Sequence, residues 1–248
     1  MNLAQLFRKQ PVKQTELFIN PAKINSRKIA VVSAISLVLV AGVFYWLIGN
    51  DQRSTAELNK SLPAGVRLSK SLFRDSYALT NKKDGYSFKI PDDQEAWKGI
   101  FVIGYKNITN DELSYRRQLG GEMETIITSE SALEIVNKNQ TSAFAVSYLH
   151  FSTKIDAEQF VEKFKNTLAP PERHGSEDHW LEITARVDKL MIDNREVFKF
   201  YGVSKSYSGE ETTLAAPIFY FFSEGTNLFV LECSDSELAK KIISGGKW

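Results

Sequence analysis

The sequence predicts an α+β fold, an antiparallel sheet flanked by helices, placed after one N-terminal transmembrane helix. Three observations carry that expectation. Residues 29–48 read IAVVSAISLVLVAGVFYWLI, without a charged side chain. After them, several short runs alternate apolar and polar residues with a period of two, the pattern of a strand. Between those runs lie capped segments with the spacing of an amphipathic helix.

The apolar run comes first. A helix rises ~1.5 Å per residue, so a run of this length spans ~30 Å, the hydrocarbon thickness of a bilayer. Ile29, Leu37 and Ile48 mark its start, middle and end, and Phe44, Tyr45 and Trp46 gather where aromatic rings favour the membrane interface. Residues 1–28 form a basic tail: Arg8, Lys9, Lys13, Lys23, Arg27 and Lys28 stand against one acid, Glu16, a net of +5. The whole chain is +1, which leaves −4 for everything after the tail. Positive charge stays in the cytoplasm, so the expected protein is a single-pass signal-anchor protein of the inner (cytoplasmic) membrane, with its N-terminus inside and its C-terminal domain outside. A cleaved signal peptide would have a shorter apolar core with small residues at its exit, where this chain has Tyr45 to Ile48. Leu3, Leu6 and Phe7 beside Arg8 and Lys9 give the tail a second reading, as a docking peptide for a cytoplasmic partner. The plainer reading is that it only sets orientation.

Residues 49–83 are polar, with a turn at Pro63-Ala64-Gly65, and read as a linker that becomes the first element of the fold. Residues 84–248 read as one extracytoplasmic domain. Its mildly acidic balance is a poor match for nucleic acid, which needs a basic face. Tyr86, Phe88 and Ile90 alternate with Ser87 and Lys89 up to Pro91. Further strand runs are IFVIGY at 100–105 and AFAVSYLHF at 143–151. Runs at 181–190 and 196–207 flank Asp193-Asn194, and runs at 218–222 and 228–233 flank Glu224 to Asn227, giving two hairpins. Asp156 caps AEQFVEKFKNTL, which puts Phe160, Val161, Phe164 and Leu168 on one face before Pro170-Pro171 stops it. Ser234 or Asp235 caps SELAKKIIS, and a weaker helix is expected over 110–119.

Chemistry is sparser. The one cysteine, Cys233, cannot form an intramolecular disulfide and has nothing basic beside it, so it reads as a structural thiol. His150 falls in a strand. His174 and His179 lie in ERHGSEDHW with Glu172, Glu177 and Asp178, donors of the kind that hold a divalent ion. The segment reads as a solvated loop, and the spacing matches no helical metal motif. There is no G-x-S-x-G, H-E-x-x-H, P-loop or G-x-G-x-x-G. No catalytic, metal or cofactor-binding residue is therefore assigned. The run PIFYFF has two readings: a strand buried on both faces, which is favoured, or an exposed patch that grips a partner or the membrane.

KKDGYSFKIPDDQEAW at 82–97 resembles the opening hairpin of the PsbP-like family. DNREVFKFYGVSKSY, followed by APIFYFFSEGTNLFVLECSDSE, is similar to that family's late strands and final approach to a helix. The expected strand pair within 126–136 departs from the family's spacing. The resemblance implies an α-β-α sandwich around an antiparallel sheet, with non-enzymatic assembly or accessory roles at a membrane. It carries over no site residues.

Together these readings predict a membrane-anchored envelope protein, held in the bilayer by one helix. Its periplasmic domain would bind other membrane or envelope proteins as a non-enzymatic assembly, scaffolding or accessory component, such as part of a secretion or pilus machine. The alternative is a membrane-tethered enzyme, or a domain that binds a small ligand or metal through the His174/His179 loop. Metal analysis of purified residues 51–248 separates the two. The expected outcome is no bound metal and a melting curve that a chelator leaves unchanged. A stoichiometric metal whose removal lowers the melting temperature would establish the histidine site.

Overall fold

Alternation along the chain decides which side of each strand is buried, and the result is mainly antiparallel β-sheet. A computed structural model describes residues 55–70, 76–91, 100–112, 114–137, 143–176 and 179–248. Strands β1 (Val66–Lys70), β2 (Ser76–Asn81) and β3 (Tyr86–Pro91) form a three-stranded sheet in that order. Strands β4 (Ile100–Asn107), β5 (Ile127–Asn137), β6 (Ala143–Phe151), β7 (Glu172–Gly175), β8 (Trp180–Ile192), β9 (Arg195–Ser206), β10 (Glu211–Glu224) and β11 (Asn227–Cys233) form an eight-stranded sheet. Its order is β4-β5-β6-β11-β10-β9-β8-β7. The helices among the described residues are short: α1 (55–60), α2 (Tyr115–Leu119), α3 (Glu122–Ile126), α4 (Ala157–Leu168) and α5 (Ser236–Ser244).

Local chemistry explains the turns and caps. Asp193 and Asn194 adopt φ of 50° and 60°, the left-handed pair of a two-residue hairpin, and close Ile192 onto Arg195. Gly225, at φ 63°, turns β10 into β11. The Asp156 side chain accepts from Glu158 N at 2.9 Å and starts α4. The Asp235 carboxylate accepts from Glu237 N and Leu238 N, both at 3.0 Å, and starts α5. Both hairpins and both capped helices stand where the sequence places them. The weaker helix of 110–119 shortens to α2, and the expected strand pair within 126–136 is one long strand, β5.

One face of the large sheet packs on the small sheet and α5. Leu133, Ile135, Phe144, Val146, Tyr220, Phe222, Phe229 and Leu231 meet Leu68, Leu79, Tyr86, Phe88, Ile90, Leu238 and Ile242. The other face packs on α2, α3 and α4. There Leu149, Phe151, Phe198, Phe200, Phe221, Leu228 and Val230 meet Leu119, Met123, Phe160, Val161 and Phe164.

This arrangement corrects the expected fold class. The domain is mainly antiparallel β, not an α-β-α sandwich, because a second sheet covers most of one face. The stretch expected as a linker supplies β1 and β2. Val66 and Leu68, then Tyr77 and Leu79, are buried at a period of two, so the segment pairs as strands. The membrane and PsbP-like assignments draw no support from the structure. Among the described residues, no helix is long and apolar enough to cross a membrane. The anchor at 29–48 and the tail's topology charges lie outside the described residues.

The two sheets meet at an aromatic seam. The Tyr86 ring lies 6.2 Å from Phe88, 5.7 Å from Phe229 and 5.9 Å from Trp248, centroid to centroid. Ser87 and Lys247 exchange backbone hydrogen bonds of 2.7 and 2.6 Å, which holds the Trp248 ring over β3. The buried Tyr86 hydroxyl finds no hydrogen-bond partner. Burial raises its pKa well above the usual tyrosine range, and nearby Asp84 pushes the same way. Asn81 is close enough to oppose that shift, but no hydrogen bond of acceptable geometry joins it to the hydroxyl. Removing a buried hydroxyl without a partner relieves its desolvation, so Tyr86→Phe is expected to keep or raise stability, by up to about 1 kcal/mol. Urea unfolding checks this, and a clear loss would show that the hydroxyl is bonded in solution.

Candidate functional site

α4 is shorter than the sheet it covers. Its 12 residues make a rod of ~18 Å. After Leu168 the chain leaves through Ala169, Pro170 and Pro171, where proline cannot continue a helix. Past that end a groove of about 590 Å³ opens on the sheet face. Phe200 and Gly202 of β9, Phe219 of β10, and Ile183 and Ala185 of β8 line its floor. Phe164 and Leu168 of α4, Tyr115 and Gln118 of α2, and Leu214 and Pro217 of β10 line its sides.

A break in the ladder shapes one wall. The β9–β10 register shifts between Thr213 and Ile218, so Leu214 and its neighbours bulge out of the sheet. Leu214 folds over Gly202: a Cβ on that glycine would stand 2.7 Å from Leu214 Cδ1. The missing side chain at Gly202 is what lets the bulge lie against the floor.

Among the described residues, the groove's polar lining is Glu172, Glu232, Ser147, Thr184, Gln118 and Tyr115, with two carboxylates and no Lys, Arg or His. Glu232 stands opposite Phe219 on one side and Ala145 on the other, and Ala145 stands opposite Glu134. Glu134 and Glu232 therefore share a face two strands apart, ~10 Å between backbones. Glu232 is an exposed residue whose carboxyl is partly desolvated. Burial holds its pKa above the usual carboxylate range, and the Glu134 charge adds to this. Glu172 is at the rim, 3.2 Å from His174 Nε2.

Glu130 secures the α2 wall. This β5 residue is 1% exposed, and its carboxylate accepts from Tyr115 N at 2.9 Å and Arg116 N at 3.3 Å. Burial pushes its pKa up to about 7, even though both backbone bonds favour the charged form. α2 is thereby tied to the sheet, with the Tyr115 ring 6.2 Å from Phe160 and 5.8 Å from Phe164.

The residues singled out in the sequence fall elsewhere. His174 is in strand β7 rather than a loop, and His179 sets its ring 4.7 Å from that of Tyr207. Glu177 and Asp178 lie outside the described residues, and among the described residues no group of three metal-ligating side chains forms. Cys233 is 2% exposed, burial pushes its thiol up to about 11, and its Sγ donates to Asp235 O at 3.2 Å. Of the run PIFYFF, Tyr220 and Phe222 bury toward the small sheet and Phe221 toward α4. Phe219 reaches the groove. Sequence reasoning missed Glu232, although a signal was present. Leu228, Val230 and Glu232 face one way on a strand that is otherwise buried on both sides, and an acid in that row marks where the cover ends. No family model matches the chain, and neither a curated protein nor a solved structure matches it.

Glu130 makes a testable link between pH and stability. Its pKa is 4.5 ordinarily and about 7 when folded, so the folded chain holds the extra proton between those values. This group's contribution to stability is full below pH 4.5 and is lost as pH rises to and through about 7, roughly 3 kcal/mol in all. Glu130→Gln is expected to flatten that part of the profile. Urea unfolding at pH 5, 6.5 and 8 checks it, and equal slopes for the two proteins would count against the assignment.

Proposed function

We propose that the described domain is a non-enzymatic binding module that docks other proteins as an assembly, scaffolding or accessory component. Its place at the outer side of the cytoplasmic membrane rests on the sequence of residues 29–48 and the charge around it; no described helix adds to it. One observation supports the binding reading above the others: the groove where the helical layer stops short of the sheet edge. Apolar area left in water forgoes ~25 cal/mol per Å², which a partner that covers it recovers. The floor is a sheet face whose backbone groups, outside the break between Thr213 and Ile218, are spent on the ladder. The occupant is therefore held by side-chain packing rather than as an added strand.

Photo-crosslinking in cells tests this. A crosslinker at Gln118, on the groove rim, is expected to capture another protein, whereas one at Glu237, on the exposed side of α5, is not. Ala185→Trp fills the floor and is expected to abolish the Gln118 crosslink, with its melting curve showing that the variant is folded. Equal capture from both positions, or no effect of the tryptophan, would sink the reading.

A further inference from the structure

We propose that the groove receives a segment of another protein that carries an apolar side chain next to a lysine or arginine, with Glu232 taking the cation. This rests on the binding reading above and names the chemistry of its partner. Among the described residues Glu232 has neither a hydrogen bond nor an ion pair, and it faces Glu134 across two strands. An unpaired carboxylate with a second carboxylate two strands away on the same face, against an apolar floor, is electrostatically unfavourable, and a cation relieves both terms.

Several bases on surrounding elements are committed elsewhere, and among the described residues none lines the groove. Lys106 of β4 pairs with Asp111, Arg116 of α2 donates to Glu124 O at 2.7 Å, and Lys189 of β8 pairs with Glu196 at 2.7 Å. His174 stands beside Glu172 at the rim and does not line the groove. No described base neutralises the floor from within.

Register sets the spacing the partner needs. Phe219 and Glu232 are directly opposite in the ladder, so their side chains start ~5 Å apart. A segment that seats an apolar group on Phe219 must present its cation close by. On a helix that means positions roughly three or four residues apart. An arginine there also lies near the Phe219 ring, which favours a cation over a neutral group.

The test uses the full-length chain and three fluorescent amphipathic peptides of about four helical turns. All share the same leucine positions, and their polar positions are Lys, Gln or Glu. Anisotropy titration is expected to rank Lys above Gln above Glu, with ~5-fold between the first two. Glu232→Gln is expected to erase the Lys–Gln difference, and Glu237→Gln is expected to leave it in place. Equal affinities, a preference for the Glu peptide, or a preference that survives Glu232→Gln would overturn the proposal. Failure of all three peptides also overturns it; if the Gln118 crosslink persists, the binding reading stands, and if that is lost too, both fall. A crosslink from Gln118 into this chain's own sequence, or into a second copy, gives the groove another occupant and likewise overturns it.

Discussion

The contact on which the rest depends is the join between the two sheets at Tyr86. A sheet of eight strands must cover both faces, and one of its faces relies on three short strands and one helix. Tyr86, Phe88, Phe144, Phe222, Phe229 and Trp248 interleave there. Each buried aromatic ring removes ~150–250 Å² from water, on the order of 4–6 kcal/mol by area. Asp84 fixes the direction of approach. Its Oδ2 accepts from Asn81 Nδ2 at 2.7 Å within the small sheet, and from Ser131 Oγ at 2.7 Å and Tyr105 OH at 3.0 Å on the large one. Packing supplies the attraction, and the carboxylate supplies the register.

The opposite face follows a different logic. Its cover is helical and incomplete, because proline ends α4 before the sheet runs out. The shortfall exposes apolar floor between an aromatic wedge, Phe164 with Phe200 and Phe219, and the acid Glu232. The same helix therefore builds the second core and leaves the groove. A buried carboxylate at Glu130, kept despite its desolvation, holds the neighbouring wall in place.

The correction in fold class has a local cause. In the sequence, residues 65–79 show apolar positions but weak punctuation, and so read as a spacer. The structure pairs Leu68 with Leu79 and carries Leu79 on to Phe88, three strands in succession. Their alternation is visible once the partners are known, but Ser, Lys and Arg at the outward positions resemble a solvated linker. The layer that makes this domain mainly β was thus the one with the least distinct hydropathy.

What the sequence determined by itself was local. The Asp156 and Asp235 caps, the Asp193-Asn194 turn, the Gly225 turn and the double-sided burial of PIFYFF all follow from residue type and period within a few positions. So does the structural character of Cys233. The tertiary structure alone decided how those elements meet: β11 beside β6, the small sheet over one face, and Glu232 beside Phe219 in an open groove with Glu134 two strands away. Strand order and register depend on contacts between residues far apart in the chain, and no local period encodes them. His174 and His179, close in sequence, make separate contacts with Glu172 and Tyr207, while Glu134 and Glu232, about a hundred residues apart, share one face.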